Sequence, residues 1–133
     1  MLRLHLSTML GWHITIYRQE ANGDSPASSG ASAGATLAVW QAGISGLNWL
    51  DALVGKGLAV SLGGNGYPTE YTAKLKHVQG VIFDGPPHAN ATWLYDPGDI
   101  LTEKWLGKTT VYHQALSECD PEEWIVIQAW DES

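Results

Sequence analysis

The chain is short of cysteine, which restricts both its fold and its chemistry. Cys119 is the single cysteine in 133 residues. One thiol cannot form an internal disulfide, so a disulfide-stapled fold is excluded and a reducing compartment is favoured. Neither C-x-x-C nor H-E-x-x-H occurs in the chain. We therefore predict no metal site and no cofactor.

Positive charge is also scarce. Seven Lys and Arg residues stand against fourteen Asp and Glu residues, which gives a formal net charge of −7. A nucleic-acid backbone would be repelled by this charge, so nucleic acid is an unfavourable partner. The same charge favours a basic protein partner, because complementary fields accelerate association and disfavour wrong partners.

Long apolar runs are missing as well. No stretch approaches the ~20 apolar residues of a membrane helix, and the segment MLRLHLSTMLGWH lacks the apolar run of a signal peptide. We expect a cytoplasmic protein without a membrane segment. A chain of 133 residues suits a single domain, which spans residues 1–133.

Alternating polar and apolar residues predict most of the secondary structure as strands. In the third of these strands, Leu37, Val39 and Gln41 are expected to face one way, and the last strand is so apolar that it should lie inside the sheet. A small, polar stretch predicts a flexible loop at about 21–35. The predicted strands are 2–6, 12–16, 36–42, 58–62, 81–83, 92–95 and 124–130.

Helical spacing appears in fewer places. Ser45 is a good N-cap for a helix with Leu47, Leu50, Leu53 and Val54 on one face, and Gly57 suits its left-handed exit. Two further helices are expected, one over residues 100–105 and one from Thr109 or Thr110 to Cys119. Residues 71–79 fit either a strand or a short helix. The predicted fold is α+β, with a mixed or mainly antiparallel sheet and two or three short helices.

Gly63-Gly64-Asn65-Gly66-Tyr67-Pro68 is the most distinctive stretch of the chain. Its three glycines permit positive φ angles and therefore a tight turn. The pattern matches neither the phosphate-binding P-loop nor the complete G-x-G-x-x-G motif. We interpret it as a hairpin-like turn that displays Tyr67 for recognition.

Cys119 is not predicted to be a nucleophile. His113 lies six residues earlier, which on a helix places the two side chains on different faces. The neighbouring acids Glu118, Asp120, Glu122 and Glu123 should raise the pKa of the thiol. We predict a structural cysteine on an apolar helix face.

The seven tryptophans and five tyrosines exceed what a core of this size requires, so some should line an interface. The leading hypothesis is a non-enzymatic binding protein that uses an acidic and aromatic surface around the glycine-rich turn. The alternative is a small-molecule enzyme or ligand sensor, with a pocket under the turn and Asp84 or Glu70 as its polar group. A homodimer formed through exposed aromatics is a further alternative. The candidate binding residues are Trp49, Asn65, Tyr67, Glu70, Tyr71 and Asp84.

Three segments also resemble parts of known small proteins: Gly46-Leu47-Asn48-Trp49, Gly64-Asn65-Gly66-Tyr67-Pro68 and Thr72-Ala73. They are similar to segments of small acidic bacterial proteins of the toxin-immunity class and of proteins carried on mobile gene cassettes. The resemblance implies a cytoplasmic, non-catalytic protein that binds and neutralises one partner. It implies no catalytic residues.

Overall fold

The computed structural model of the protein describes residues 11–20, 23–43, 46–84 and 106–131. The strand predicted at 2–6, the strand at 92–95, the helix at 100–105 and the capping residue Ser45 lie outside the described residues. Within the described ranges the chain forms β1 (Trp12–Gln19), β2 (Ala33–Ala42), α1 (Asn48–Gly55), β3 (Ala59–Gly63), β4 (Thr69–Lys74), α2 (Leu75–Asp84), β5 (Leu106–Val111), α3 (His113–Ser117) and β6 (Trp124–Asp131).

The strands form one six-stranded sheet in the order β3-β4-β6-β1-β2-β5. Every neighbouring pair is antiparallel. The sheet and the three helices of the described residues form a single domain, which confirms the predicted α+β fold. β6 lies between β4 and β1, and its Val126 and Ile127 are both fully buried. The prediction of an internal last strand is therefore confirmed.

All three helices pack on one side of the sheet, which we call the helix face. Burial of apolar side chains between the sheet and these helices removes the largest continuous apolar surface from water. The strands contribute Ile14, Ile16, Trp40, Ile125 and Ile127 to this core, and the helices contribute Leu50, Val78, Ile82 and Leu116.

The opposite side of the sheet is partly covered by residues 25–32, and we call these residues the strap and this side the strap face. Ala27 of the strap is buried against Tyr17 and Val126, with Ala31 and Leu62 beside them. β2 begins at Ala33, so the irregular segment ends earlier than the predicted loop at 21–35. The strap thus has fixed contacts on the sheet despite its small, polar composition.

Helix α1 begins at Asn48 with Leu47 as its N-cap, so the prediction of Ser45 as the N-cap was wrong, whereas its glycine exit is as predicted. At its carboxyl end, the N–H of Gly57 donates to the carbonyl of Val54 at 3.0 Å, and the N–H of Leu58 donates to that of Leu53 at 2.9 Å. Gly57 has a φ of 78°. These are the two hydrogen bonds of a Schellman motif, in which glycine is preferred because the left-handed conformation strains other residues.

The prediction of a strand at 81–83 was wrong, because Leu75–Asp84 forms helix α2. Leu75, Val78 and Ile82 lie on one face of that helix and are buried in the core, and this spacing prevails over the apolar run at 81–83. β4 ends at Lys74, so the ambiguous stretch 71–79 contains the end of a strand followed directly by a helix.

Two further local predictions were wrong. The helix expected from Thr109 or Thr110 is instead β5 up to Val111, and α3 covers only His113–Ser117. Leu37 does not share a side with Val39 and Gln41, because the register between β1 and β2 shifts between Ile16 and Tyr17. A bulge of this kind places an extra residue in one strand, and Leu37 is buried in the core on the helix face.

We predict that the covered and uncovered parts of the strap face contribute unequally to stability at the valines Val126 and Val60, which both lie opposite Thr72 in the sheet register. Val126→Ala, at a fully buried position, should lower the free energy of unfolding by about 2 kcal/mol, because two methylene equivalents and packing are lost. Val60→Ala is the control, since Val60 is 45% exposed and should cost less than about 0.5 kcal/mol. Urea unfolding measures both, and equal losses would contradict burial of Val126 beneath the strap.

Candidate functional site

The glycine-rich turn joins β3 to β4, as the sequence predicts, and lies beside the end of β6. Gly63, Gly64 and Gly66 have φ angles of 90°, 113° and 98°, which confirms the positive φ angles expected of a tight turn. The N–H of Asp131 donates to the carbonyl of Gly66 at 2.7 Å. This bond fixes the turn to β6. Tyr67 is 61% exposed, so its ring is available for recognition.

The candidate residues around the turn do not form one surface. Asn65 is exposed beside Tyr67. Tyr71 is only 4% exposed, and its hydroxyl donates to Asp51 Oδ1 at 2.9 Å. Trp49 packs against the core on the helix face, with its ring centroid 5.9 Å from that of Trp40. Tyr71 therefore stabilises the core and is not displayed, which corrects the expectation that it is exposed with Tyr67.

Glu70 lies on the other side of the sheet from Tyr71, because successive residues of a strand alternate. Its side chain is buried, with the residue 5% exposed. Oε1 accepts hydrogen bonds from the N–H of Gly30 at 3.0 Å and from the hydroxyl of Ser29 at 3.5 Å. Oε2 accepts one from Gln128 Nε2 at 3.1 Å. The carboxylate is thus enclosed by the strap and by β6.

Asp84 is the last residue of α2, on the helix face. Glu70 contacts the strap on the opposite side of the sheet. The two carboxylate residues proposed as alternatives for one pocket under the turn are therefore on opposite sides of the sheet.

Beyond the strap, the strap face carries a row of aromatic and polar residues that the sequence reasoning missed. His13 pairs with Trp130 on one side and with Gln41 on the other. Trp130 is 41% exposed and lies one residue before Asp131, which holds the glycine-rich turn. The row and Tyr67 therefore share one end of the sheet. The alternation in β6 could have placed Trp130 on this face, but not its pairing with His13.

A groove of about 260 Å³ continues from this row across β1, β2 and β5. Val39 lies between Thr15 and Thr110 in the sheet register, and Tyr112 is 46% exposed at the end of β5. The groove is lined by His13, Val39, Gln41, Thr110 and Tyr112. We call these five residues, together with Trp130 and Tyr67, the aromatic surface.

Among the described residues, five acidic side chains line a cleft at the other end of the sheet. Arg18 and Glu123 form a bidentate pair, with Nε–Oε2 at 2.8 Å and Nη2–Oε1 at 2.9 Å. The hydrogen bond to Glu123 raises the pKa of Arg18. Around this pair lies a cleft of about 650 Å³, whose lining includes Glu20, Asp24, Asp120 and Glu122. We call it the acidic cleft.

The structure thus separates two properties that the sequence hypothesis combined. β1 runs from Trp12, opposite Asp131, to Arg18, opposite Ile125, and its eight residues extend about 25 Å at the usual rise per residue. The aromatic surface lies near the first end and the acidic cleft near the second. Near the aromatic surface, Asp131 is the acidic residue that follows Trp130 directly in sequence, and it interacts with other residues of the protein.

Cys119 is buried, and burial raises the pKa of its thiol to about 11, with the charge of Glu123 adding to the effect. This agrees with the prediction of a structural cysteine and with the expected influence of the neighbouring acids. The expected place on a helix face was wrong, because α3 ends at Ser117. In the described part of the chain, no three His, Cys, Asp or Glu side chains converge on a possible metal position. None of the helices described there is long and apolar enough to cross a membrane.

Comparison with protein-family models, with curated proteins and with solved structures found no match to this chain. Its function has to be inferred from its own residues.

We predict that the protein loses stability in base. Burial raises the pKa of Cys119 from 9.0 to about 11 and that of Tyr17 from 10.0 to about 12, and it also raises the pKa of Tyr71. The folded state then holds these protons more tightly than the unfolded state, so stability is retained below pH 9.0 and falls as the pH approaches 12.

Two conservative variants test this account by urea unfolding at pH 7 and in base. Tyr17→Phe removes a buried hydroxyl that makes no well-formed hydrogen bond among the described residues, although Gln128 lies near enough to favour its ionised form. It should change stability at pH 7 by less than about 0.5 kcal/mol and reduce the alkaline loss. Tyr71→Phe loses the bond to Asp51 and should cost about 1 kcal/mol at pH 7. An alkaline loss unchanged by Tyr17→Phe would contradict the assignment.

Proposed function

We propose that this chain is a non-enzymatic binding protein that neutralises a basic partner protein, in the manner of an immunity protein. The observation that supports this most is the aromatic surface, where Trp130, Tyr112 and Tyr67 are each more than 40% exposed. Large rings that remain exposed on a sheet are unusual for a surface that meets only water. Tyr and Trp are also the residues that contribute most to binding hot spots.

The small volume of the groove in this surface favours a protein over a small molecule. Its groove of about 260 Å³ is smaller than the ~300–1,000 Å³ of typical small-molecule pockets. Glu70, the polar group of the alternative hypothesis, already accepts three hydrogen bonds from the protein itself. The function of an enzyme or small-molecule sensor is therefore less well supported at this surface than that of a protein-binding protein.

The net charge of −7 supports a basic partner, and it acts differently from the aromatic contacts. Charge attraction extends over a Debye length, about 8 Å at physiological salt, and raises the rate of encounter. Aromatic contacts form only at close range and slow dissociation. The acidic cleft and the aromatic surface can therefore contribute to one association from opposite ends of the sheet.

The resemblance of the Gly46–Trp49, Gly64–Pro68 and Thr72–Ala73 segments to toxin-immunity proteins agrees with this role. Neutralisation requires tight binding to one partner and no catalytic group. The proposal places the protein in the cytoplasm, where a single free cysteine is expected to stay reduced.

We predict that capture of the partner depends on the aromatic surface. The tagged protein should retain one basic protein from an extract of the source organism. Tyr67→Ala and Trp130→Ala should each weaken binding of the purified partner at least tenfold, because a well-packed aromatic anchor contributes about 2 kcal/mol or more. Raising the salt concentration from about 0.05 to about 0.5 M should weaken binding further, because salt screens the charge attraction.

Lys56→Ala is the control for these variants, since Lys56 is exposed at the end of α1, on the helix face. It should bind the partner as the unmodified protein does. Absence of any specific interactor, or binding indifferent to both aromatic substitutions, would contradict the proposed function.

A further inference from the structure

The strap is attached to the sheet mainly by hydrogen bonds to two polar side chains of β4. The N–H of Ala27 donates to Thr72 Oγ1 at 3.1 Å, in a fully buried contact. The N–H of Gly30 and the hydroxyl of Ser29 both donate to Glu70 Oε1. At the start of the strap, Gln19 Nε2 donates a hydrogen bond to the carbonyl of Ser25 at 2.9 Å.

The apolar part of this attachment is small. Ala27 is the buried residue of the strap and Ala31 is partly buried, and both contribute only a methyl group to the cluster around Val126. The other strap side chains are exposed. A segment that buries little apolar surface opens at a lower free energy than the sheet beneath it. The strap is therefore the part of this face best able to move away.

Opening of the strap would expose the carboxylate of Glu70 to solvent and to a partner. Gln128 would still donate to Oε2, but Oε1 would lose both of its donors. Water replaces these donors in the free protein, and a donor group of a partner that excludes water must replace them in a complex. A guanidinium group supplies two donors in a plane and a positive charge, which the neutral Gly30 and Ser29 donors do not.

Glu70 is also continuous with the aromatic surface. It lies opposite Gln128 in the sheet, and Gln128 lies opposite Thr15, which in turn pairs with Val39 of the groove. Gln128 Oε1 accepts a hydrogen bond from Trp130 Nε1 at 3.4 Å. A partner on the aromatic surface therefore reaches Glu70 by extending along one row of the sheet.

We propose that the strap occupies the position of an arginine side chain of the partner, and that a basic partner displaces the strap and pairs with Glu70. This inference rests on the proposed function and names the chemistry of one contact within it. The strap then covers the carboxylate in the free protein and limits binding of cationic groups that lack the rest of the interface. The apparent affinity equals the intrinsic affinity multiplied by the fraction of time that the strap is open.

The test uses hexa-arginine as the probe, with hexa-glutamate as the charge control. Hydrogen exchange measured by mass spectrometry follows the strap, and calorimetry follows binding. In the unmodified protein, hexa-arginine should accelerate exchange in residues 25–32 and hexa-glutamate should not. Glu70→Gln keeps an oxygen for the N–H of Gly30 but removes the charge, so affinity for hexa-arginine should fall about tenfold.

Gly30→Ala tests whether the strap limits access to Glu70 or has only a structural role. Gly30 has a φ of 77°, and an added Cβ would contact nothing within 4 Å, so alanine strains the closed strap without a clash. Exchange in the strap should rise about tenfold, and affinity for hexa-arginine should rise by up to the same factor. Gly57→Ala is the matched control, with a φ of 78° and open space, and should leave both strap exchange and affinity unchanged.

Glu70→Gln, which removes the charge, and Gly30→Ala, which loosens the strap, thus change affinity in opposite directions if the proposal is correct. Binding that is equal in the unmodified protein, Glu70→Gln and Gly30→Ala indicates occupation of the acidic cleft only and overturns it. Strap exchange that does not respond to hexa-arginine also overturns it. Neither result would affect dependence of the natural partner on Tyr67 and Trp130, so failure here is distinguishable from failure of the proposed function.

Discussion

The strap face is arranged around one buried charge. Glu70 lies in the middle of a sheet, and the residue is only 5% exposed, where a carboxylate without partners would cost several kcal/mol. The sheet supplies one donor, from Gln128, and the strap supplies two. The hydrogen bonds to Glu70, together with the one from Ala27 to Thr72, hold residues 25–32 on the sheet, because their own side chains bury little apolar surface. The strap therefore covers Glu70 and Val126, whereas Trp130 on the same face remains exposed.

This arrangement relates the fold to recognition. The helix face contains the continuous apolar core and supplies stability. The strap face has a small apolar cluster and presents exposed rings beside it, which is the division of roles expected when one side of an antiparallel sheet is available for contacts. The acids contribute a long-range field, whereas Trp130, Tyr112 and Tyr67 provide short-range contacts. Aromatic and acidic residues therefore need not share a surface to recognise the same partner.

Periodicity predicted the fold class, the internal position of β6, helix α1 and the hairpin turn, because each is encoded by local spacing of apolar residues or glycines. It failed where two patterns overlap. The apolar run Val81–Phe83 looks like a strand, yet Leu75, Val78 and Ile82 form the buried side of a helix. It also failed at Leu37, where a bulge reverses the alternation.

The candidate site was only partly predictable. Tyr67 and Asn65 are exposed at the turn, as a glycine-rich hairpin suggests, whereas Tyr71 was misplaced because the burial of β4 depends on its neighbours. The row of Trp130, His13 and Gln41 joins three strands that are distant in sequence. The order of strands that are distant in sequence, which no local pattern specifies, is needed to see it. The same holds for Glu70 and the strap, whose contacts join residues about forty positions apart.

The central claim is that the strap is held by Glu70 and opens separately from the sheet. Native-state hydrogen exchange of the Gly30 and Ala27 amides, followed by NMR at increasing urea concentration below the unfolding transition, tests it most directly. If the strap opens alone, both amides exchange at a free energy well below that of global unfolding and with little dependence on urea, since little surface is exposed. Exchange of both amides only through global unfolding, with the urea dependence of the whole protein, would contradict the account.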